Sequence, residues 1–303
     1  MGDVNLRDSL LASLVALIWG FNFIVIDWGM GGVPPLLFLA VRFVLVVLPA
    51  IFFVPRPTAS WRTVALVGTF MSLGQFSLLY GSMAAGMPPG LAGLVLQAQV
   101  IFTILLAAGV LKEIPTAWQV SGAVIGCLGL VVVAAGRGGS TPLGALLLCI
   151  GASLSWGIGN VLSRASKVAG GLSLTVWSAL VVPVPALALA FALNGPSGVR
   201  VGIESFGWHA VLSTVYTAVL ASLVGYGIFN TLLSRNQPSA VVPWILLVPP
   251  VAIGSAWLCF GDRPNGAELI GGVVMLFGVL VTLRARRPSA EAGAVERIAT
   301  AKA

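Results

Sequence analysis

The dominant pattern along this chain is a succession of apolar runs of about 20 residues, each bounded by Pro, Gly or charge and none alternating with period two. A helix rises about 1.5 Å per residue, so each run is long enough to cross roughly 30 Å of hydrocarbon. Ten such helices are predicted, over residues 10–29, 34–54, 62–84, 89–111, 117–135, 142–162, 173–193, 207–230, 238–260 and 267–284. The third and eighth are the least uniform, since each holds several Gly, Ser and Thr residues. Arg7 precedes the first run as it would in a signal peptide, but no small-residue cleavage site follows. Instead "WGMGGVPP" leads straight into the next run, so the first helix is expected to be retained. The fold class is an all-α polytopic membrane protein.

Composition agrees. Of 303 residues, 58% are hydrophobic and 8% charged, against about 25% charged in an ordinary soluble domain. The net charge of +7 is a topology signal and gives no reason to expect a nucleic-acid partner. Arg7, Arg56, Arg62, Lys112, Arg164, Lys167, Arg235 and the five basic residues from Arg284 onward fall on the side of the termini; only Arg137, Arg200 and Arg263 fall opposite. That bias predicts both termini in the cytoplasm. Residues 1–9 form a short cytoplasmic N-terminus. The tail, 285–303, begins as a basic cluster suited to anionic lipid headgroups and is expected to be disordered beyond it. Cys127, Cys149 and Cys259 all lie inside predicted helices, with neither disulfide nor metal spacing, and are expected to be small core residues. His209 is the single histidine, there is no HExxH, and no Walker-type loop occurs. Neither an enzyme nor an ATP-driven pump is indicated, and no metal or cofactor is implied.

The chain also repeats itself. Displaced by 149 residues, "KEIPTAWQVSGAVIGCLGLVVV" (112–133) falls on "GDRPNGAELIGGVVMLFGVLVT" (261–282), so that Glu113 meets Asp262, Pro115 meets Pro264, Gln119 meets Glu268, Gly122 meets Gly271 and Gly129 meets Gly278. A weaker echo sets "WGFNF" (19–23) against "WGIGN" (156–160). The halves are 10–135 and 142–284, joined by an outer connection at 136–141. Each holds five helices, an odd number, so the second is expected to enter the membrane upside down relative to the first. Inverted repeats are an architecture of transporters, whose midplane site opens alternately to either side.

Polar residues inside the spans mark where such a site would lie. Counted from the outer end of each helix, Asn22 is roughly 10 Å deep, Arg42 and Gln97 about 12 Å, Gln75 about 13 Å and Gln99 about 15 Å. Asn22 and Gln75 either line a substrate site or bond a neighbouring helix. Gln97 and Gln99, two positions apart, differ by about 200° around a helix and cannot share a face; Gln97 is assigned to a cavity and Gln99 to helix packing. Arg42 either snorkels outward, pairs with Asp27 near the outer end of helix one in a structural or gating role, or meets a substrate carboxylate as a two-pronged donor. In the second half the candidates are Trp156, Asn160, Tyr226 and Asn230, with Trp19 matching Trp156 across the repeat. The aromatic residues either line the cavity or pack. Pro249 and Pro250 are expected to break or bend helix nine near the midplane, freeing carbonyls. Gly122 and Gly126 form a GxxxG run suited to close helix packing.

The ten helices in two fives, "WGFNFIVI", the "RF" of helix two, "GMPPGLAGLVLQAQVIFTILL" and "VGYGIFNTLLSR" resemble the EamA-type branch of the drug/metabolite transporter superfamily, over residues 8–285. The resemblance implies a secondary transporter of the bacterial inner membrane, exporting small amino-acid metabolites such as cysteine or O-acetylserine; other amino acids or drugs are the alternative substrates. It also implies a basic residue near position 27, where Asp27 stands instead.

Overall fold

The computed structural model describes residues 5–136, 141–166, 172–236 and 238–283. The tail at 285–303, most of the 136–141 connection, Arg137, Lys167 and Arg284 fall outside the described residues. Ten helices are long and apolar enough to span a membrane: α1 (Leu6–Gly29), α2 (Pro35–Phe53), α3 (Trp61–Ala84), α4 (Pro89–Val110), α5 (Ala117–Gly136), α6 (Leu143–Ala165), α7 (Leu172–Glu204), α8 (Trp208–Arg235), α9 (Val242–Phe260) and α10 (Gly266–Leu283). Ten crossings return the chain to the side on which it began.

Boundaries shift where capping outweighs hydropathy. α1 starts four residues before the apolar run because Asn5 caps it, its side chain accepting a hydrogen bond from the Asp8 amide at 2.8 Å. α7 extends well past the predicted 193. Its first segment, Leu172–Ala179, is interrupted ahead of Pro183, and the chain then bends at Gly195, whose φ of 67° is open to glycine, into a final stretch that carries the exposed Arg200–Glu204 pair at 2.8 Å. The helices opening α5 and α10 carry reciprocal capping boxes. Thr116 and Gln119 exchange bonds of 2.9 and 3.3 Å, and Asn265 and Glu268 exchange two of 2.9 Å. This gives the aligned pair Gln119 and Glu268 a common physical task.

Four further helices depart from α geometry, α3, α4 and α8 in their middles and α9 at its start. α3 carries a π-helical stretch at Gly68–Gly74 and α8 one at Tyr216–Val224; these are the two Gly/Ser/Thr-rich spans, and their separation is close to the displacement that aligns the halves. α4 tightens to a 3-10 turn at Leu96–Ala98, and α9 does so at Val242–Leu247. Pro249 and Pro250 fall in the first turn of the α-helical part Val248–Phe260, where the missing amide donors have no intrahelical partner to lose. The break in α9 therefore exists but sits just before the prolines rather than at them.

Packing is reciprocal between the halves. α5 runs along α10 and α4 along α9; α3 meets α6 as α8 meets α1; α6 meets α4 as α1 meets α9; and α2 packs on α7. The α5–α10 contact is made by glycine. A Cβ on Gly122 would stand 2.5 Å from the Gly278 carbonyl oxygen, and one on Gly271 2.7 Å from the Gly129 carbonyl oxygen. Lipid and protein are equally apolar, so close approach and dispersion, not hydrophobic burial, hold such helices together. Of the three cysteines only Cys149 is buried; Cys127 and Cys259 are exposed on the bundle's outer surface, because a small apolar thiol is as well accommodated by lipid as by the core.

Candidate functional site

The interruptions of α3, α4, α8 and α9 surround a cavity of about 400 Å³, within the range of small-molecule sites. Trp19, Asn22, Gln75, Gln97, Trp156, Asn160 and Tyr226, assigned above to substrate contact, all line it, as do Arg42 and Gln99. Asp27 does not, and neither do Pro249 and Pro250; the α9 wall comes instead from Val242, Ile245, Leu246 and Val248 around its 3-10 turn. Met71, Phe76 and Phe229 add to the cavity's apolar lining.

Each polar residue is set by its helix. The Trp19 indole donates to the Ala221 carbonyl at 2.9 Å and packs against Tyr226 and Phe229, with ring centroids 5.0 and 5.4 Å away. The π-helical stretch of α8 makes that carbonyl available, since i→i+5 bonding disturbs the regular ladder. In the same manner Ser155 on α6 donates to the Phe70 carbonyl of the π-helical stretch in α3 at 2.7 Å.

The glutamine pair divides only partly as the spacing implies. Gln99 holds α4 to α6: its Oε1 accepts from Asn160 at 2.8 Å, and the same Asn160 amide reaches Thr103 at 3.2 Å. Gln97 is buried, with no hydrogen-bond partner among the described residues. Yet both border the cavity, against the expectation that they cannot share a face. The reason is the 3-10 turn at Leu96–Ala98: at about three residues per turn the two side chains stand roughly 120° apart instead of about 160°, close enough to flank one wide opening.

Arg42 is 2% exposed and therefore does not snorkel to the surface. Its Nη1 donates a short hydrogen bond to the Tyr80 hydroxyl, its Nη2 donates to Ser222 at 3.2 Å, and its guanidinium lies 4.4 Å from the Phe76 ring centroid. Helical side chains lean towards the helix N-terminus, which in α2 is the end away from the termini, and this aims Arg42 at Tyr80. Asp27 is not its partner; the ion pairs among the described residues are Arg164–Glu113 and Arg200–Glu204. The guanidinium is thus a buried charge with neutral partners and an aromatic face, and its Nε is left without a hydrogen bond. Asn22 Oδ1, in the same cavity, is also buried and unpartnered. Tyr80 and Ser222 were not anticipated, although an intramembrane tyrosine in a chain with three is a usable signal for a charge partner.

The cavity's lining reaches Val242 and Leu283, at the ends of α9 and α10 on the side of the termini. A second cavity, of about 610 Å³, adjoins it and reaches Ser163, Leu174 and Ser234 on that same side. Away from the termini, α1, α2, α3, α8 and the connection between α7 and α8 meet through side chains. Phe38 packs against Tyr80 and Phe206, at centroid distances of 5.9 and 6.2 Å, and Ser213 donates to the Val25 carbonyl at 2.6 Å.

The EamA-like transporter family matches residues 7–135 and again 143–284. A Salmonella typhimurium protein named "Probable amino-acid metabolite efflux pump" is 36% identical over 296 residues, 95% of this chain and 99% of that protein. The Escherichia coli protein of the same name is 35% identical over 283 residues, 91% of this chain and 95% of that one. A "Probable terminal-alkyne amino-acid exporter" of Streptantibioticus cattleyicolor is 28% identical over 250 residues, 79% of this chain and 80% of that one. One solved crystal structure aligns with a TM-score of 0.62 at 20% identity, covering 94% of this chain and 98% of its own, and shows likeness of fold alone.

Proposed function

The chain belongs to the EamA-like transporter family, a transporter and not an enzyme, and from that premise we propose that it exports small zwitterionic amino-acid metabolites, cysteine and O-acetylserine or close analogues, across the bacterial inner membrane. The observation that carries the substrate class is the pairing of unsatisfied groups in the central cavity. Arg42 supplies an uncompensated positive charge and a free Nε donor, Asn22 a free acceptor oxygen, and Gln75 and Gln97 carboxamides with no partner among the described residues. A buried polar group left unpaired costs about 1–3 kcal/mol. A ligand with a carboxylate at one end and an ammonium at the other relieves both kinds of deficit at once.

The proposed mechanism is alternating access between two inverted five-helix halves. Support comes from the matched π-helical and 3-10 stretches, the reciprocal helix contacts and the paired capping boxes. With the termini in the cytoplasm, as the basic residues favour, the cavities face inward and the Phe38, Tyr80 and Phe206 cluster is the closed outer gate. The decisive experiment is flux of labelled cysteine from liposomes holding the purified protein, with and without an imposed pH gradient. Flux no faster than from protein-free liposomes would sink the substrate assignment.

A second substrate reading has its own support. Trp19, Phe76, Trp156, Tyr226 and Phe229 give the cavity an aromatic wall suited to larger apolar side chains. Competition decides between them: if phenylalanine or tryptophan blocks flux at lower concentration than O-acetylserine, the wall sets the substrate.

A further inference from the structure

The second cavity, of about 610 Å³, shares Arg42, Met71, Phe76, Tyr226 and Phe229 with the central one but is otherwise walled by different chemistry. The central cavity is lined by carboxamides; this one is lined by the hydroxyls of Ser163, Ser178, Ser222 and Ser234 and by Asn230. The hydroxyl protons are largely committed to backbone. Ser178 donates to the Thr175 carbonyl at 3.1 Å, Ser222 to the Thr217 carbonyl at 2.8 Å and Ser234 to the Thr231 carbonyl at 2.8 Å. A hydroxyl whose proton is engaged still offers lone pairs, so these oxygens present acceptors. Donors include the Arg42 guanidinium and Asn230 Nδ2, which is buried and has no partner.

We propose that this hydroxyl-lined lobe is a second substrate subsite, where a zwitterionic amino acid is held before it enters the central cavity. The inference rests on the functional reading above. An ammonium carries three donors and no acceptor and matches the serine oxygens; a carboxylate matches Asn230 and Arg42. A neutral apolar solute would leave those donors unpaired, and a simple anion would make no use of the acceptors. Arg42 borders both lobes, so a carboxylate in either stands near its charge. The lobe's mouth at Ser163, Leu174 and Ser234 places it on the path from the side of the termini.

The test is saturation binding of labelled O-acetylserine to the full-length protein in lipid nanodiscs, read as the number of molecules bound per chain. Two are expected for the native protein. Asn230→Leu removes the carboxamide at similar volume, and Ser163→Phe fills the mouth; each is expected to leave one molecule bound, at the central cavity. Gln97→Leu is expected to remove the other. A native stoichiometry of one, lost in Gln97→Leu and untouched by both lobe variants, overturns the second subsite while leaving the exporter reading in place. A native stoichiometry of zero overturns both.

Discussion

Replacing Arg42 by Met separates the transport role of this residue from a structural one. Met keeps an unbranched apolar stem and removes the guanidinium, which at present bonds Tyr80 and Ser222 and lies 4.4 Å from the Phe76 ring centroid. On the substrate side, the loss is one hydrogen-bonded charge partner for a carboxylate, about 1.5–3 kcal/mol. That corresponds to a KM higher by roughly 10- to 150-fold. On the stability side two terms oppose. Relief of a buried charge with no counter-ion is worth about 2.5–3.5 kcal/mol on an insertion scale, and the two lost bonds of the charged group, to Tyr80 and Ser222, cost about 3–6 kcal/mol together. Thermal stability is therefore expected to fall by no more than about 3.5 kcal/mol while transport collapses. The assay is initial flux in proteoliposomes over a range of substrate concentrations, alongside thermal unfolding of the same preparation in detergent. Arg42→Lys should fall between, since a lysine keeps the charge but not the fork that reaches Tyr80 and Ser222 together. A Met variant with unchanged KM and sharply lowered thermal stability would show that Arg42 is a helix clamp and that the substrate carboxylate is bound elsewhere.

Gln99→Ala and Asn160→Ala each remove the 2.8 Å bond between α4 and α6 and should lower thermal stability with a coupling energy of about 0.6–1.7 kcal/mol in a double-mutant cycle; Gln97→Ala should leave stability unchanged and reduce flux. Gly129→Ala puts a Cβ 2.6 Å from the Gly271 carbonyl oxygen and 2.8 Å from Met275 Cα, forcing α5 from α10 at about 1–3 kcal/mol, whereas Gly109→Ala meets nothing within 4 Å and should stabilise by up to about 1 kcal/mol; melting curves of the two variants should move in opposite directions. Asp27 lines neither cavity, so Asp27→Asn should leave the pH profile of flux unchanged, and a shifted profile would place proton exchange at that residue. A reporter active only in the cytoplasm, fused after Ala303, should be active if the termini lie there as proposed.

Much of the fold is legible along the chain, and the errors have a pattern. Hydropathy found ten spans, but a cap at Asn5 and a bend at Gly195 moved two ends, because hydrogen bonding and backbone freedom, not hydropathy, stop a helix. The five residues that depth along their helices brings to one level, Asn22, Arg42, Gln75, Gln97 and Gln99, share one cavity, since a rise of about 1.5 Å per residue fixes position along the membrane normal. Depth alone does not reveal Tyr80 and Ser222 under Arg42, the serines of the second lobe, or the 3-10 turn that lets Gln97 and Gln99 flank the same opening.

The sequence by itself thus determined the class of protein, the number of helices and the level at which polar groups gather. Only the tertiary structure decided which helices are neighbours, which way each polar side chain turns and that Arg42 meets Tyr80 rather than Asp27. The physical reason is the solvent. In water the polar face of a helix announces its exposed side, but lipid is as apolar as a protein core. Phe38 is 0% exposed while Phe52 is 81% exposed on the same helix, and nothing in their chemistry distinguishes them. Depth is written in the chain because the bilayer is a slab. The facing of each helix is not, because lipid tails and neighbouring helices present the same apolar surface.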